Sequence, residues 1–497
     1  MHHHRKSSRG YAALAVLMVG LWVNLWPPAA ARAFDISDEK VLGRRILEQV
    51  RERLPLVDDG EVVTYIQSVG NRVTRQLSDT PFQYQFFVIN EATPNAFAIP
   101  GGYIFIYRGL ISMMASEGEL ASIISHEIAH VQARHISHRI EQSKILNIAA
   151  LVASLAGAFL GGGGDASRAL ATGALAGVKS LELKNSRDDE EEADRLGFHY
   201  LVTAGYDSND MVSVMRKMSR MRWQSDSRIP SYLMTHPALG ERVSYLETMV
   251  EKERAKDSRP SQQSPIGDFP LMQAALVGKY ESPPVALDHF RALQRRNDLS
   301  AVTAYGLGCL YLREGQVEQA VTKLREAASQ KANSPMILSS LGAAYFQQGQ
   351  LQEAKKVLTT ALLLDPNSPA IHFHLASVYR EQGQPQEALR HLRKAEQLAP
   401  MLPEIDYHLG VLLGQTQEYG LAHYHLGHYY AYQRDWKLAK FHYEKALKLL
   451  SHSPAVVDEL EEELKQIDRE KNKAARQAAS PKSATNNRPL SNPLFAR

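Results

Sequence analysis

Residues 126–130 read His-Glu-Ile-Ala-His, and no other string in the chain limits its fold and chemistry as tightly. It lies within Glu117 to Gln142, where apolar residues recur at helical spacing (Leu120, Ile123, Ile124, Ile128, Val131, Ile136, Ile140) and no Pro occurs. The spacing predicts a helix there, and Ser116 and Glu119 stand at capping-box spacing at its start. Four residues make about one turn, so His126 and His130 project from one face about 6 Å apart. Two imidazoles so placed can share a zinc ion. Glu127 is one step round the helix, within reach of a water on the metal rather than the metal itself. Zinc lowers the pKa of such a water, and a carboxylate there can take its proton. The chemistry implied is water attack on a peptide carbonyl. The chain has 19 His in 497 residues, so a helix with two surface His is the plain alternative, and a third ligand is needed.

Catalytic zinc takes three protein ligands and leaves a fourth position open. A third His six residues after the second would fall on Ile136, and the matching Gly position is Ala133. His135 and His138 are out of register, so this option fails. A carboxylate from a later helix is the other option. Ser186 can cap a helix with an acidic first turn. On that helix Glu190 and Asp194 share a face. Glu190 can ligate the metal, and Asp194 can accept the spare ring N–H of a ligating His. A solvated acidic helix start is the competing reading.

The strings HEIAH and EEEAD, with Asn-Ala-Phe-Ala-Ile-Pro-Gly-Gly at 95–102 and Thr-His-Pro-Ala-Leu-Gly-Glu-Arg at 235–242, resemble the gluzincin peptidases of the CAAX prenyl endopeptidase and HtpX type. The resemblance covers roughly residues 40–250, with four motifs in the family's order. It implies one Zn2+ per chain on His126, His130 and Glu190, with Glu127 as general base and Asp194 behind the ligands. His236 and Arg242 would lie near the site among the catalytic residues. His236 would either steady the oxyanion or fill the fourth metal position and hold the enzyme off. The membrane-embedded members carry transmembrane helices. Here the longest interior apolar run, Ile145 to Leu160, is 16 residues, below the roughly 20 needed to span a bilayer. The resemblance therefore points to a soluble periplasmic branch with a helical-repeat tail and argues against a prenyl-protein peptidase.

Phe82 to Ile89, Ala96 to Ile99 and Tyr103 to Tyr107 read as strands, the last two joined by Pro100-Gly101-Gly102. They predict a small sheet of three or four strands. If an edge faces the metal, an extended substrate can pair with it through Asn95, Ala96, Phe97, Gly101 and Gly102. Such pairing tolerates many sequences and suits unfolded or misassembled segments. A sheet that only braces the helix is the alternative.

Arg5, Lys6 and Arg9 precede a 16-residue apolar run, Tyr11 to Trp26, and then Ala31-Arg32-Ala33. This reads as a secretory signal peptide cleaved before Phe34, with an uncleaved membrane anchor as runner-up. The expected destination is the periplasm of a Gram-negative-type envelope. Cys309 is the only cysteine, so no intramolecular disulfide can form. The chain is net +3, but residues 1–33 carry four cations and no acid, and residues 465–497 a net +6, which leaves residues 34–464 at −7. That balance argues against nucleic acid as a partner.

A 34-residue period runs from Ala301. Leu307-Gly308 recurs as Leu341-Gly342, while Tyr311, Tyr345 and Tyr379, and Ala320, Ala354 and Ala388, keep the register. This resembles the tetratricopeptide repeat, whose small residues let paired helices approach and whose concave face takes a peptide or protein. The period then slips by half. Leu426-Gly427 follows Leu409-Gly410 by 17 residues, as though one helix near Gln415 to Gly420 were dropped, which predicts a bend or an exposed groove. Seven His and Tyr between His423 and Tyr432 suggest a binding face or simply repeat packing. Ile145 to Val178, rich in Ala, Leu and Gly, reads as buried helices, with a mobile cover or a membrane-contacting hairpin as alternatives.

The fold class expected is mostly α: an α+β zincin-type peptidase domain with a small sheet, then an all-α tetratricopeptide solenoid. The expected divisions are a signal peptide at 1–33, the peptidase at 34–255, a linker at 256–268, the solenoid at 269–455, a capping helix at 456–479 and a disordered tail at 480–497. The expected function is a periplasmic zinc endopeptidase acting on unfolded or misassembled proteins, with repeats that dock clients or outer-membrane assembly proteins. The alternative is a latent or non-catalytic scaffold for envelope assembly.

Overall fold

The computed structural model describes residues 35–143, 186–224, 232, 236, 239–255, 264–295, 300–400 and 402–478. The expected signal peptide, the stretch Ile145 to Val178 and the polar tail lie outside them. Among the described residues, no helix is long and apolar enough to cross a membrane.

Helix α1 (Ile36–Arg53) starts on a capping box in which the Asp35 carboxylate accepts from the Asp38 amide. It is followed by α2 (Gly60–Thr74), β1 (Gln85–Ile89), β2 (Ala96–Ile99) and β3 (Tyr103–Tyr107). The strands form one sheet in the order β1-β3-β2, with β1 parallel and β2 antiparallel to β3. All five β3 side chains are buried, as a central strand covered on both faces requires. Phe97 and Phe87 stack on Phe105 at 4.9 and 5.1 Å. Leu56 bridges Ile89 on the outer side of β1. Among the described residues no strand pairs with the outer edge of β2, which packs beside the helix carrying the His pair.

After α3 (Arg108–Met113) comes that helix, α4 (Glu117–Gln132), in which every residue from Glu117 to Val131 is buried. The apolar spacing predicts one helix to Gln142, but the chain breaks at Arg134, whose φ is +56°, and restarts as α5 (His135–Ser143). Periodicity carries no signal for the break, because α5 continues the apolar pattern with Ile136 and Ile140. The side chain of Arg134 pairs with buried Glu39 on α1, a contact the pattern cannot see. Then follow α6 (Arg187–Thr203), capped by Ser186 and Asp189, α7 (Asn209–Gln224) and α8 (Leu239–Arg254).

The repeat half runs α9 (Phe269–Tyr280), α10 (Pro283–Arg295), α11 (Ser300–Arg313), α12 (Val317–Gln330), α13 (Pro335–Gln347), α14 (Leu351–Leu364), α15 (Pro369–Glu381), α16 (Pro385–Leu398), α17 (Pro403–Gln415), α18 (Tyr419–Tyr432), α19 (Trp436–Leu449) and α20 (Pro454–Ala478). Regular hairpins turn at Gly315, Gly349 and Gly383, all at positive φ. A side chain on Gly308 or Gly342 would strike Leu324 or Leu358 on the second helix of its hairpin. The slip has a simple structural cause. A side chain on Gly410 would strike Leu426 of α18, and one on Gly427 of that same α18 would strike Tyr443 of α19. Helix α18 is therefore the second helix of one hairpin and the first of the next. The two hairpin turns, at Gln417 and Arg434, both have positive φ and stand 17 residues apart. Two complete repeats would need four helices; here α17, α18 and α19 make both hairpins, so the 17-residue slip corresponds to one absent helix with its turn, as the sequence suggested.

The halves share one apolar core running from Val57 and Tyr65 through α4 to Leu375 and Val378. Half-buried Lys279 donates to Asp59 at 2.5 Å. The end of the expected linker is pinned, since the Ile266 amide donates to buried Glu117 at 2.9 Å. At the far end, Arg434 pairs with Glu52 and donates to the Glu48 carbonyl at 2.9 Å, and Gln466 donates to Glu48 at 3.1 Å. A cavity of about 460 Å³ remains between α1 and the half-repeat slip, lined by Glu48, Arg51, Pro400, Asp406, Tyr432 and Trp436 among others.

Burial lowers several repeat imidazoles: His391, also beside Arg390, to about 4, and His408, beside Arg380, likewise to about 4. Their unfolded value is about 6.5. The unfolded chain then binds more protons, so the stability these rings contribute is present above pH 6.5 and is lost as pH falls toward 4. Melting followed by circular dichroism from pH 7 to pH 5 should show a falling Tm. A His391→Gln chain should lose less across that interval.

Candidate active site

Helix α4 presents His126, Glu127 and His130, all buried. Their partners arrive on α6, because the two helices touch almost backbone to backbone. A Cβ on Gly197 would lie 3.0 Å from the His126 Cα, so glycine is what permits this separation. One and two turns before Gly197 stand Asp194 and Glu190, both buried. His126 Nδ1 lies 2.9 Å from Asp194 Oδ1. Its Nε2 lies 3.5 Å from Glu190 Oε2 and 3.1 Å from His130 Nε2. His130 Nε2 is 3.3 Å from Glu190 Oε1. The three expected ligands therefore converge, and Asp194 sits behind His126 as the i, i+4 spacing requires.

His236 joins them. Its Nδ1 is 2.9 Å from Glu190 Oε1 and 3.4 Å from His126 Nε2, while its Nε2 faces Glu127 Oε1 at 3.6 Å. Donor atoms of His126, His130, Glu190 and His236 all fall within 4.8 Å of one another. Arg242 was expected among the catalytic groups, but its guanidinium is fully engaged behind them. It donates from Nε and Nη2 to both oxygens of Asp194 at 2.7 Å, and from Nη1 to Glu190. It positions the two carboxylates. Three further residues escaped the sequence reading. Tyr232 stacks on His236 with centroids 4.3 Å apart. Tyr245 donates to Asp194; it is one turn from Arg242, so helical spacing could have found it. His135, set aside as a ligand, turns back at the Arg134 break to bring its Nδ1 within 2.8 Å of His130 Nδ1, while its Nε2 lies 3.1 Å from Glu192.

Of the expected substrate strand, Ala96 and Phe97 lie on β2 and are buried. Asn95 is buried with its side-chain amide nitrogen unpaired. Gly101 and Gly102 instead make the turn, at φ +91° and +95°, and the Gly102 carbonyl already accepts from Gln85 at 3.0 Å.

The charges are arranged around a cation. Burial opposes ionisation of Glu190, but His236, Arg242 and hydrogen bonds from His126 and His130 hold its carboxyl well below the usual range. Asp194 is likewise depressed, since burial is outweighed by the charge of Arg242 together with the hydrogen bonds and charge of His126. Burial would depress His126, yet Asp194 and Glu190 lift it to about 9, whereas burial takes His130 down to about 3. Glu127 is raised by burial, with His236 and His126 offsetting only part. Imidazole nitrogens and one carboxylate aimed at a common point, dry and with an ionised carboxylate behind, form a donor set that fits a divalent transition ion.

Residues 62–250 match the model of Peptidase family M48, and residues 308–349 and 333–401 match tetratricopeptide-repeat models. The chain carries an M48 peptidase domain followed by tetratricopeptide repeats. It is 31% identical over 255 residues to the beta-barrel assembly-enhancing protease of Escherichia coli, covering 51% of each chain. A Vibrio cholerae protein provisionally given the same name is 29% identical over 63% of this chain and 64% of its own. The mitochondrial metalloendopeptidase OMA1 of Schizosaccharomyces pombe is 28% identical over 39% of this chain and 54% of its own. The chain thus spans between half and two thirds of the length of these relatives. Among solved structures, the MamA protein matches 38% of this chain and 99% of its own at 18% identity and a TM-score of 0.28.

The M48 domain implies a metal at this cluster, and His135 would orient His130 from behind. Replacing His135 with Ala should weaken metal retention by about 10–100-fold, measured by competition with a chromogenic chelator. Metal retention equal to the parent's would refute that role.

Proposed function

We propose that this protein is a zinc-dependent endopeptidase of the periplasm that cuts extended segments of unfolded or misassembled proteins. The observation that carries the reading is the meeting of His126, His130 and Glu190 from two helices, with Glu127 buried alongside and β2 packed next to α4. His126, His130 and Glu190 would hold the ion. A bound divalent ion supplies Lewis acidity at the scissile carbonyl and lowers the pKa of water there. Glu127 takes the proton from the attacking water and passes it to the leaving amine. Its raised pKa suits a group that must do both. Asp194, held by Arg242 and Tyr245, keeps His126 in one tautomer, so the ring nitrogen facing the site stays available. The outer edge of β2 pairs with substrate backbone, which accounts for loose sequence preference.

His236 adds a second feature. Its Nδ1 stands at the ligand cluster and its ring is clamped by Tyr232. From there it would complete the donor set for an ion, and the site would then be latent until substrate entry moved the ring.

The N-terminal segment, read as a cleaved signal, supports delivery to the periplasm, and an uncleaved anchor is the alternative. The names of the Escherichia coli and Vibrio cholerae relatives support work on outer-membrane barrel proteins, with the repeat half docking clients or assembly proteins.

Glu127→Gln should abolish chelator-sensitive cleavage of an unfolded probe protein, a loss of about 10²–10⁴-fold, while metal content is unchanged. Undiminished cleavage by that variant would rule out the assigned base. His236→Ala should raise turnover severalfold with an unaltered melting curve, and turnover equal to the parent's would dismiss the plug. If neither the parent nor His236→Ala shows chelator-sensitive cleavage, a non-catalytic envelope scaffold is the correct reading.

A further inference from the structure

Two groups of metal-ligating side chains converge among the described residues, and one is the site above. The other lies in the repeat half, on Glu396, Asp406 and His425. The first is on α16, the second on α17 and the third on α18, the helix that two hairpins share. We propose that these three side chains form a second, structural site for a divalent transition ion of the zinc class.

The distances are those such an ion needs. His425 Nδ1 is 2.9 Å from Asp406 Oδ1 and 3.4 Å from Glu396 Oε1. Ligand atoms about 2.0–2.2 Å from a zinc-class ion, in tetrahedral or octahedral directions, stand about 2.9–3.6 Å from one another. The active-site nitrogens and oxygens have the same separations. His425 is buried, and both carboxylates are partly so. One imidazole with two carboxylates is a nitrogen–oxygen set. It suits zinc, manganese or iron over calcium and magnesium, which favour oxygen alone.

Two further observations point to a ligand. The first is access, since Asp406 forms part of the wall of the 460 Å³ cavity between the slip and α1. The second is His428, three residues on from His425 on α18 and lining the same cavity. Its Nδ1 meets the Tyr443 hydroxyl at 3.2 Å, and its Nε2 makes no hydrogen bond but lies 3.7 Å from Glu459 Oε1. Arg393, whose charge Glu396 feels, is drawn to Glu418 at 3.3 Å.

The neighbouring hairpins show what sets this place apart. The same 19-residue register pairs His372 with His391 at 2.8 Å and His423 with His442 at 2.9 Å. Those pairs tie the two helices of a hairpin, and among the described residues neither belongs to a group of three metal-ligating side chains. At Asp406 and His425 the pair gains Glu396 from the preceding repeat. An ion there ties one repeat to the next where α18 serves two hairpins.

The test uses the full chain, stripped with a chelator and dialysed against Zn2+, with zinc counted by mass spectrometry. The parent should hold two ions, and a His126→Ala/His130→Ala chain one. Adding Zn2+ should raise the Tm of that double variant by several degrees. Glu396→Gln with Asp406→Asn, near-isosteric changes that preserve packing, should leave the parent with one ion and remove the Tm response in the double-variant background. Circular dichroism in chelator should show these chains folded like the parent. If the His126→Ala/His130→Ala chain binds no zinc, or the carboxylate changes leave both stoichiometry and Tm response intact, the site does not exist. Because the readout is zinc content and not proteolysis, failure here leaves the peptidase reading untouched, and failure of that reading leaves this site untouched.

Discussion

The contact on which the site depends is the close packing of α4 against α6. It is set by Gly197, above which a side chain would run into the His126 backbone. This separation brings Glu190 to the two imidazoles and lets Asp194 reach the far nitrogen of His126. Two acids and two imidazoles in a dry interior would otherwise be unfavourable. The Arg242 fork and the Tyr245 hydroxyl offset that cost by satisfying the carboxylate oxygens. The result is a rigid, preorganised set of donors whose geometry comes from backbone packing rather than from flexible side chains.

Around that contact the two halves of the chain act as one body. Glu117, at the first turn of α4, binds Tyr65, Tyr206 and the Ile266 amide, so the start of the active-site helix is tied to the end of the segment leading into the repeats. The solenoid then curves until Arg434 and Gln466 meet α1. The Arg134–Glu39 pair in turn joins α1 to the end of α4.

Much of this was legible in the residues. The His pair, Glu127, Glu190 and Asp194 follow from helical geometry and ligand chemistry, and the structure puts them where those rules place them. The 34-residue period foretold the hairpins. Other parts were not legible. The break at Arg134 is invisible to periodicity because the apolar pattern runs straight through it. Arg242 looked like a catalytic group because a motif marks proximity, not what the guanidinium touches. Gly101 and Gly102 were read both as a turn and as substrate-pairing positions; they make the turn, and the Gly102 carbonyl is already taken by Gln85. The half-repeat slip was visible as a number that matched one absent helix, but which remaining helix serves two hairpins could not be read from it.

What the sequence alone determined is therefore everything that depends on local periodicity: which helix carries the His pair, which acidic face can answer it, and where the repeats begin and fall out of step. Only the tertiary structure decided which groups from distant segments share one point. It brought His236 to the ligand cluster, turned His135 against His130, and set Glu396 beside Asp406 and His425. Spacing along a helix is fixed by 3.6 residues per turn and can be read from letters. The meeting of three helices is fixed by side-chain volumes and backbone approach, which no local pattern encodes.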